Sequence, residues 1–527
     1  MKRRDFFKYT APAAILPSFI NGFSVKAFGS SPLLNALQGA ATDNDHVLVM
    51  IQMTGGNDGL NMVIPIDKYS GYFNARKNIA IAEGRILPLT NVKKAGIHPS
   101  MTRVQDLYTQ GKVCIVQSVG YPSPNFSHFR ATDIYLTGSD ANQVLNTGWG
   151  GRYLQTEYPN YPVGFPNAEM PDPLAIQIGS IVSPAFQGPV TNAGMAITST
   201  SSFYDLLEGK EDDVPNTKAG KELKYIRMIA KQSNKFADSI KLAAGKVTSQ
   251  GTYSNTSISQ QLKIVARLIA GGLKTRLYMV SIGGFDTHAS QTNSGDTSTG
   301  AHANLLGNLS NAIGEFMADL KGLKASKRVV GMTFSEFGRR IKSNGSMGTD
   351  HGASAPMIIF GDYINPGVLG NTPDMPTTAN VNDNIPMQYD FRSVYASILE
   401  QWFCVKPAAL NEVMLKNYQS LPIVNSIACS LVTSNPDVNQ NAGQNLITNY
   451  PNPFTTKTII SYETKGSHTL IQIFDTMGRL LATPLDKDLV AGKYTVEFDA
   501  TMLPNGIYYA RFQNGITQQV RTMLKVR

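Results

Sequence analysis

Cysteine is scarce in this chain. Three residues in 527 are cysteine, Cys114, Cys404 and Cys429. That rules out a disulfide-built scaffold, and the lack of any CxxC pair argues against a thiolate zinc site. Cys114 sits within an apolar stretch and reads as core, whereas the spacing of Cys404 and Cys429 does not decide whether they pair. Long apolar runs are missing too. The one near the start is cut by Pro12 and Pro17, well short of the ~20 residues of a membrane helix. So are long runs of like charge: the net +9 is scattered, no nucleic-acid motif accompanies it, and no nucleic-acid partner is expected. The glycines of TGGNDGLN (54–61) fit neither the phosphate loop nor the dinucleotide fingerprint. What is present is an ordinary soluble composition, 42% hydrophobic, in a chain long enough for one large core and a small domain.

Two strings carry the chemistry, GGFDTH (283–288) and GTDHG (348–352). Each sets a carboxylate beside an imidazole at a glycine-rich bend. Asp286 and His288, two apart, leave the same face of extended backbone; Asp350 and His351 are adjacent in a loop. Mixed Asp and His groups suit zinc, manganese or a similar divalent ion. Taken singly, Asp-x-Thr-His is more often a cap or turn. Position strengthens the metal reading, because LYMVSI (277–282) and VVGMTF (329–334) read as buried strands and both strings follow such strands. Sites in open α/β sheets form beyond the carboxyl ends of the strands.

Two further strand ends carry polar groups. HVLVMIQM (46–53) runs into a loop with Asn57, Asp58 and Asn61, and KVCIVQSV (112–119) into one with Ser123, Ser127, His128 and Arg130. The first loop reads as a tight turn, as a source of an Asp ligand, or as backbone N–H groups facing an anion. In the second, Ser127 is placed to N-cap a helix over HFRATDIYLTG as well as to act chemically. Glu336, Arg339 and Arg340 follow another strand end and read either as an oxyanion-binding arginine or as a surface Arg–Glu pair. His302 reads as a ligand or an exposed helix start, and His98 as structural. Helical spacing over 222–246, 257–272 and 301–323, alternating with strands, predicts a doubly wound, mostly parallel sheet. GWGGRYLQ and the Pro-, Gly- and Asn-rich stretch 155–200 read as insertions walling the site.

The order of these strings resembles that of the alkaline phosphatase and sulfatase superfamily. GGNDGLN, FSHFRATDIYLTG, QLKIVARLIAGGLKTRLYMVSIGGFDTH and FSEFGRRIKSNGSMGTDHG look like an uncharacterised, twin-arginine-exported branch of sulfatase-like proteins, over roughly 45–415. The resemblance implies a metal-dependent hydrolase fold acting on phosphate or sulfate esters of small molecules or glycans. Its cofactor would be zinc, manganese or calcium. It implies Asp58 as the first-strand ligand, Ser127 as nucleophile with Arg130 on the substrate, Asp286 and His288 on one metal, and Asp350 and His351 on the other. Asn57, His128 and His302 are further candidates. The sequence departs from the pattern in two places. The only histidine beyond 351 is His468, in a different segment, so His128 or His302 substitutes for the usual late ligand or the site holds one metal. SPNFSHFR also lacks the C/S-x-P-x-R spacing needed for formylglycine, which argues against classical sulfatase chemistry. The rival expectation is a surface-exposed binding or scaffold protein with a degenerate site.

The two ends read as addresses. MKRRDFFKYTAPAAILPSFI resembles a twin-arginine export signal, cleaved around 25–32. Near 430 the composition turns polar. From NYPNPF (449–454) onward, alternating segments with Gly and Asn turns predict a small antiparallel sandwich. The order YPNPF, FDTMGR, LPNGIYY and a basic end resembles the sorting domain of type IX secretion; a carbohydrate-binding or immunoglobulin-like module is the alternative. The expected plan is therefore a signal over 1–30, an α/β domain over 31–430, a linker over 431–446 and a sorting sandwich over 447–527. The expected destination is the cell surface or the medium, after loss of both end segments.

Overall fold

The computed structural model describes residues 45–199, 236–425, 427–430, 447–475, 479–514 and 517–526. The expected signal segment and the helical spacing over 222–235 lie outside them. One compact unit spans Asn44–Cys429. Its nine-stranded sheet contains β1 (Val47–Met53), β2 (Val113–Gly120), β3 (Ala175–Ile178), β4 (Gly194–Ile197), β5 (Leu277–Ile282), β6 (Val329–Phe334), β7 (Ala355–Gly361), β8 (Gly367–Leu369) and β9 (Tyr389–Asp390). The order is β8-β2-β7-β6-β1-β5-β3-β4, with β9 beside β2. β7 runs antiparallel to both of its neighbours, and the other pairings are parallel. The carboxyl ends of β1, β2, β5 and β6 therefore share one edge of the sheet, and β7 begins at that same edge.

Strand β1 shows why the sheet has two covered faces. Val47, Val49, Ile51 and Met53 enter one apolar cluster, and Leu48 and Met50 enter the other. That is the period-2 alternation of a strand buried on both sides. Helices α1 (Thr102–Thr109), α4 (Ser257–Ala270) and α5 (Ala301–Gly322) cover the first face. Helices α2 (His128–Thr137), α3 (Trp149–Glu157) and α6 (Phe391–Gln401) cover the second. In α4, Ile258, Leu262, Val265 and Ile269 recur at helical spacing, Thr256 caps the start through its hydroxyl, and Gly271 follows the end. The expectation of insertions over GWGGRYLQ and 155–200 is corrected. The first segment forms α3, and the second supplies β3 and β4, which widen the sheet.

Cys404 and Cys429 form a disulfide closing 25 residues, and Cys114 is free and buried in β2. By loop entropy such a closure is worth about 3.5 kcal/mol. No helix among the described residues is long and apolar enough to cross a membrane. In the C-terminal region, seven strands from Ile447–Tyr450 to Thr517–Lys525 form antiparallel sheets of three and four. Ile460, Ile471, Ile473, Ala510 and Phe512 alternate inward to make their shared core.

Candidate functional site

The strand-end edge gathers four loops, and small residues let them meet. Gly55, at φ +123, lies so close to the loop after β5 that a Cβ would sit 2.3 Å from Asp286 N. Gly348 passes His288 just as tightly, with a Cβ placed 2.3 Å from its carbonyl carbon and oxygen. Any side chain at either position would push the loops apart. Buried Arg339 then ties them: Nε donates to Gly56 O at 2.7 Å, Nη1 to Thr349 O at 2.8 Å, and Nη2 to Gly55 O, Phe285 O and the Asp286 carboxylate. It is neither a surface residue nor the partner of Glu336.

Asp286 and His288 do not lie on extended backbone. Thr287 N bonds Phe285 O at 2.8 Å and His288 N bonds Asp286 O at 3.1 Å, so consecutive tight turns bring the two side chains together. His351 lies in a two-residue ribbon, His351–Gly352 against Gly338–Arg339. The pairs converge. His288 Nε2 lies 2.9 Å from His351 Nε2, and Asp286 Oδ1 lies 3.2 Å from the first and 3.5 Å from the second. His128 arrives from the first turn of α2, with Nε2 3.6 Å from Asp286 Oδ2. His128, Asp286 and His351 each offer a ligand atom within 4.8 Å of the others, a group able to hold a metal ion.

Behind each imidazole stands an oxygen. His288 Nδ1 meets Asp350 Oδ1 at 3.1 Å, His128 Nδ1 meets Glu336 Oε1 at 3.0 Å, and His351 Nδ1 meets Phe126 O at 2.8 Å. Asp350 thus grips the back of a ring whose front faces His351. Asn344 Nδ2 also donates to Asp350 Oδ1, at 3.1 Å. Burial pushes the Asp286 carboxyl up, but the Arg339 hydrogen bond and charge, with His288 and His128, overcome it and hold it below the ordinary range. Asp350 is held low in the same way, chiefly by hydrogen bonds from Asn344 and His288 against burial. Burial lowers His351, which favours its neutral form.

The other expected ligands lie elsewhere. Asp58 is fully buried against Arg76, whose Nη1 meets Oδ1 at 2.8 Å and Oδ2 at 2.7 Å, and Gln291 Nε2 donates to Oδ2 at 2.6 Å. Both carboxylate oxygens are occupied, so the assignment of Asp58 as a metal ligand is corrected. Gln291 Oε1 also accepts the hydroxyls of Thr287 and Thr349 at 2.9 Å each, which joins Asp58 to both metal-type strings. Asn57 spends its side chain on Met62 and His302, and His302 is buried with Nε2 on Asn57 Oδ1 at 3.0 Å. Neither belongs to the cluster, and the helix-start histidine is not exposed. Burial drives His302 down to about 4 and His98 to about 3.

Ser127 occupies the N-cap position, yet its side chain makes no capping bond and stays exposed. Arg130 turns away from the cluster, to Asp133, Ser139 and the carbonyls of 140, 141 and 143. Its expected substrate contact is replaced by a role in holding that loop. Glu336 was visible in the sequence only as half of a surface pair. Its place two residues beyond the strand end at Phe334 was the available signal. Gln291 and Arg76 gave none. In the TGGNDG turn, Gly55 N donates to the Glu336 carboxylate at 2.8 Å and Asn57 N to Ser335 Oγ at 3.0 Å, both buried within the fold.

Residues 212–412 match the family described as a protein of unknown function (DUF1501), and residues 448–526 match the secretion system C-terminal sorting domain. A sorting domain is therefore present at the C-terminus. Among curated proteins nothing matches. Similar solved structures include a sulfatase from Pseudoalteromonas sp., at 11% identity and TM-score 0.32, covering 90% of this chain and 87% of that one. A protein in the alkaline phosphatase superfamily from Vibrio parahaemolyticus is similar at 9% identity and TM-score 0.31, covering 93% and 84%. A phosphonate monoester hydrolase from Silicibacter pomeroyi is similar at 9% identity and TM-score 0.29, covering 92% and 89%. Likenesses of this size fix neither family nor activity.

Proposed function

We propose that this chain is a secreted, metal-dependent hydrolase of phosphate or sulfate esters, and that His128, Asp286, His288 and His351 hold one divalent ion. One observation carries the reading. A backbone carbonyl only accepts, so His351 must carry its proton on Nδ1, toward Phe126 O. An ionised carboxylate only accepts, so His288 carries its proton toward Asp350. With both rings neutral, the two Nε2 atoms then face each other with their lone pairs at 2.9 Å, beside the Asp286 carboxylate. Such a group calls for a positive charge among its members. Contacts of 2.9, 3.2 and 3.5 Å among His288, His351 and Asp286 Oδ1 bracket the ~3.3 Å that separates ligands around a tetrahedral ion with bonds near 2.0–2.1 Å, and His128 approaches the other oxygen, Oδ2, at 3.6 Å.

Three imidazoles and a carboxylate suit zinc or manganese. They do not suit calcium, whose sites are built from oxygens. This reading replaces the two-metal expectation, since Asp350 stands behind His288 rather than facing a second ion. Bound there, the ion supplies Lewis acidity toward an ester oxygen and lowers the pKa of a nearby hydroxyl or water. Ser127 is the proposed nucleophile: its hydroxyl is exposed, uncommitted and one residue from His128. The edge position fits the rule for open α/β sheets. Twin-arginine export followed by type IX sorting to the surface or medium completes the proposal. So does the division into signal, α/β domain, linker and sorting sandwich at the boundaries expected above.

A binding or scaffold role with a purely structural ion has one observation in its favour, the four protein donors typical of closed sites. Against it, the Asp286 and Asp350 side chains are 50% exposed and that of His288 is 44% exposed, which leaves the group open to solvent and substrate. The test is metal analysis of purified protein, before and after chelation and reloading, with a panel of phosphate and sulfate esters. The proposal expects about one zinc or manganese per chain and turnover that chelation removes. Bound metal without turnover on any ester would leave the structural-ion reading; no bound metal would defeat both.

A further inference from the structure

We propose that Glu336 is the positioning residue of His128, holding its imidazole from behind at Nδ1 so that Nε2 is aimed at Asp286. The inference rests on the metal-site reading above and extends it to a residue beyond the ligands. Three imidazoles face the cluster, and each is held from behind by a different kind of oxygen. His351 has a neutral carbonyl, and His288 has a carboxylate that is half exposed. Only His128 has a buried carboxylate, that of Glu336, whose side chain is 1% exposed.

The fixing is geometric. Glu336 Oε1 lies 3.0 Å from His128 Nδ1 and accepts Gly55 N at 2.8 Å, while Oε2 lies 3.3 Å from Ser335 Oγ. Ser335 has one hydroxyl proton and gives it to Met53 O at 2.7 Å, so the Gly55 N–H and burial are what keep the carboxylate from swinging away with the ring. The Phe337 ring packs against His128 at 4.9 Å and against His351 at 4.5 Å, and so limits rotation of both imidazoles. An acceptor-only carboxylate at Nδ1 fixes the proton there. It also raises the basicity of the opposite nitrogen, as carboxylates behind metal-binding histidines do. The bond to Gly55 N has a second consequence. It ties the loop after β1, the loop after β6 and the start of α2 to a single carboxylate, so His128 is delivered in register with Asp286.

The effect should pass through His128 alone, and a double-mutant cycle reads that. Zinc affinity is measured by competition with a chromophoric chelator on the full chain, for wild type, Glu336→Gln, His128→Ala and the double variant. Glu336→Gln should weaken zinc binding about 10- to 100-fold in the wild-type background, the usual cost of losing such a partner. In the His128→Ala background it should change affinity by less than about twofold, because the route is already gone. An equal loss in both backgrounds, or none in the first, overturns the proposal. A second measurement does not need the variant to fold or the metal to bind: nitrogen-15 NMR of histidine-labelled, metal-free wild type, with His128→Gln for assignment. The expected signature is a protonated Nδ1 at His128; a bare Nδ1 overturns the inference. If wild type binds no zinc, the metal-site reading fails, while the tautomer still decides the role of Glu336.

Discussion

Two polar clusters sit at the same edge of the sheet, built from the same residue types, and they have opposite characters. One joins Asp286, His288, His351 and His128; the other joins Asp58, Arg76, Gln291, Asn57 and His302. In the second, the Asp58 and Arg76 side chains are 0% exposed, and both carboxylate oxygens have donors. In the first, the Asp286 side chain is 50% exposed and the Nε2 atoms of His288 and His351 face each other at 2.9 Å. A buried charge must be paired to be tolerated at all, whereas a group left unmatched at an open edge is tolerated because something else can match it. The difference separates a cluster that supports from a cluster that binds. Gln291 connects them through Thr287 and Thr349, so the closed network props up the open one.

The largest expected effect comes from breaking the closed cluster. Arg76→Met leaves Asp58 charged, buried and without its counterion, and should cost about 3–5 kcal/mol of folding stability. Chemical denaturation of the metal-free protein measures it. Asp58→Asn combined with Arg76→Met should recover part of the loss, because the stranded charge is then gone. If Arg76→Met costs under ~1 kcal/mol, a surface-pair value, the description of this network is wrong.

Acid should strike the same cluster next. Burial lowers His302 to about 4 and His98 to about 3, while the unfolded chain binds those protons near 6.5. Between these values the unfolded state holds more protons, so stability falls as pH falls from about 6.5, at up to ~1.4 kcal/mol per pH unit for each imidazole. The buried His302 Nδ1 has no hydrogen-bond partner, and burial outweighs the Asp58 charge that favours its protonation. Folding free energy measured from pH 7 to 4.5 should slope accordingly, and His302→Gln should flatten one share of the slope. An unchanged slope in that variant would place the acid sensitivity elsewhere.

Much of the frame was legible because strong local signals and the fold agree. LYMVSI and VVGMTF are strands at the residues expected, each an apolar β-branched run ended by polar or glycine-rich sequence. The two motif strings could be placed together because β5 and β6 both flank β1. Asp58 misled for the same reason, since it also follows a central strand. What separates it from Asp286 is Arg76, eighteen residues on at the end of a short helix, where a sequence shows only one more surface-type cation. Strands β3 and β4 were missed because four residues are too few to show a period amid Pro and Gly. Glu336 and Arg339 looked like a surface pair because charge next to a strand end usually faces water; their burial depends on Gly55 and Gly56, far away in sequence.

Breaking the open cluster should leave the fold nearly untouched and abolish its response to metal. His351→Ala removes one of the facing nitrogens, so metal-free stability should change by under about 1 kcal/mol. Zinc should raise the melting temperature of wild type, since a ligand that binds only the folded state stabilises it. It should not raise that of the variant. Thermal unfolding with and without zinc measures both. A zinc shift preserved in His351→Ala would show that the ion sits elsewhere.

The smallest structural effect, and the sharpest functional one, should come from Ser127→Ala. A serine at an N-cap usually accepts a first-turn backbone N–H with its side-chain oxygen, and its loss then costs about 0.5–2 kcal/mol. Here the side chain makes no capping bond, the first turn being entered through the Ser127 carbonyl, which Ala131 N meets at 2.8 Å. An exposed hydroxyl with no bond should cost less than about 0.5 kcal/mol when removed, and metal content should stay as in wild type. A serine hydroxyl is a weak nucleophile at neutral pH unless a base or metal activates it, so its free state is meaningful only beside the open cluster. If Ser127 attacks the ester, the loss appears in kcat with metal and fold intact. If hydrolysis continues at the wild-type rate, the nucleophile is Ser123 or water, and the uncommitted hydroxyl is only an unused cap. A stability loss near the capping range, with activity kept, would instead return Ser127 to the supporting class of residue that Asp58 joined.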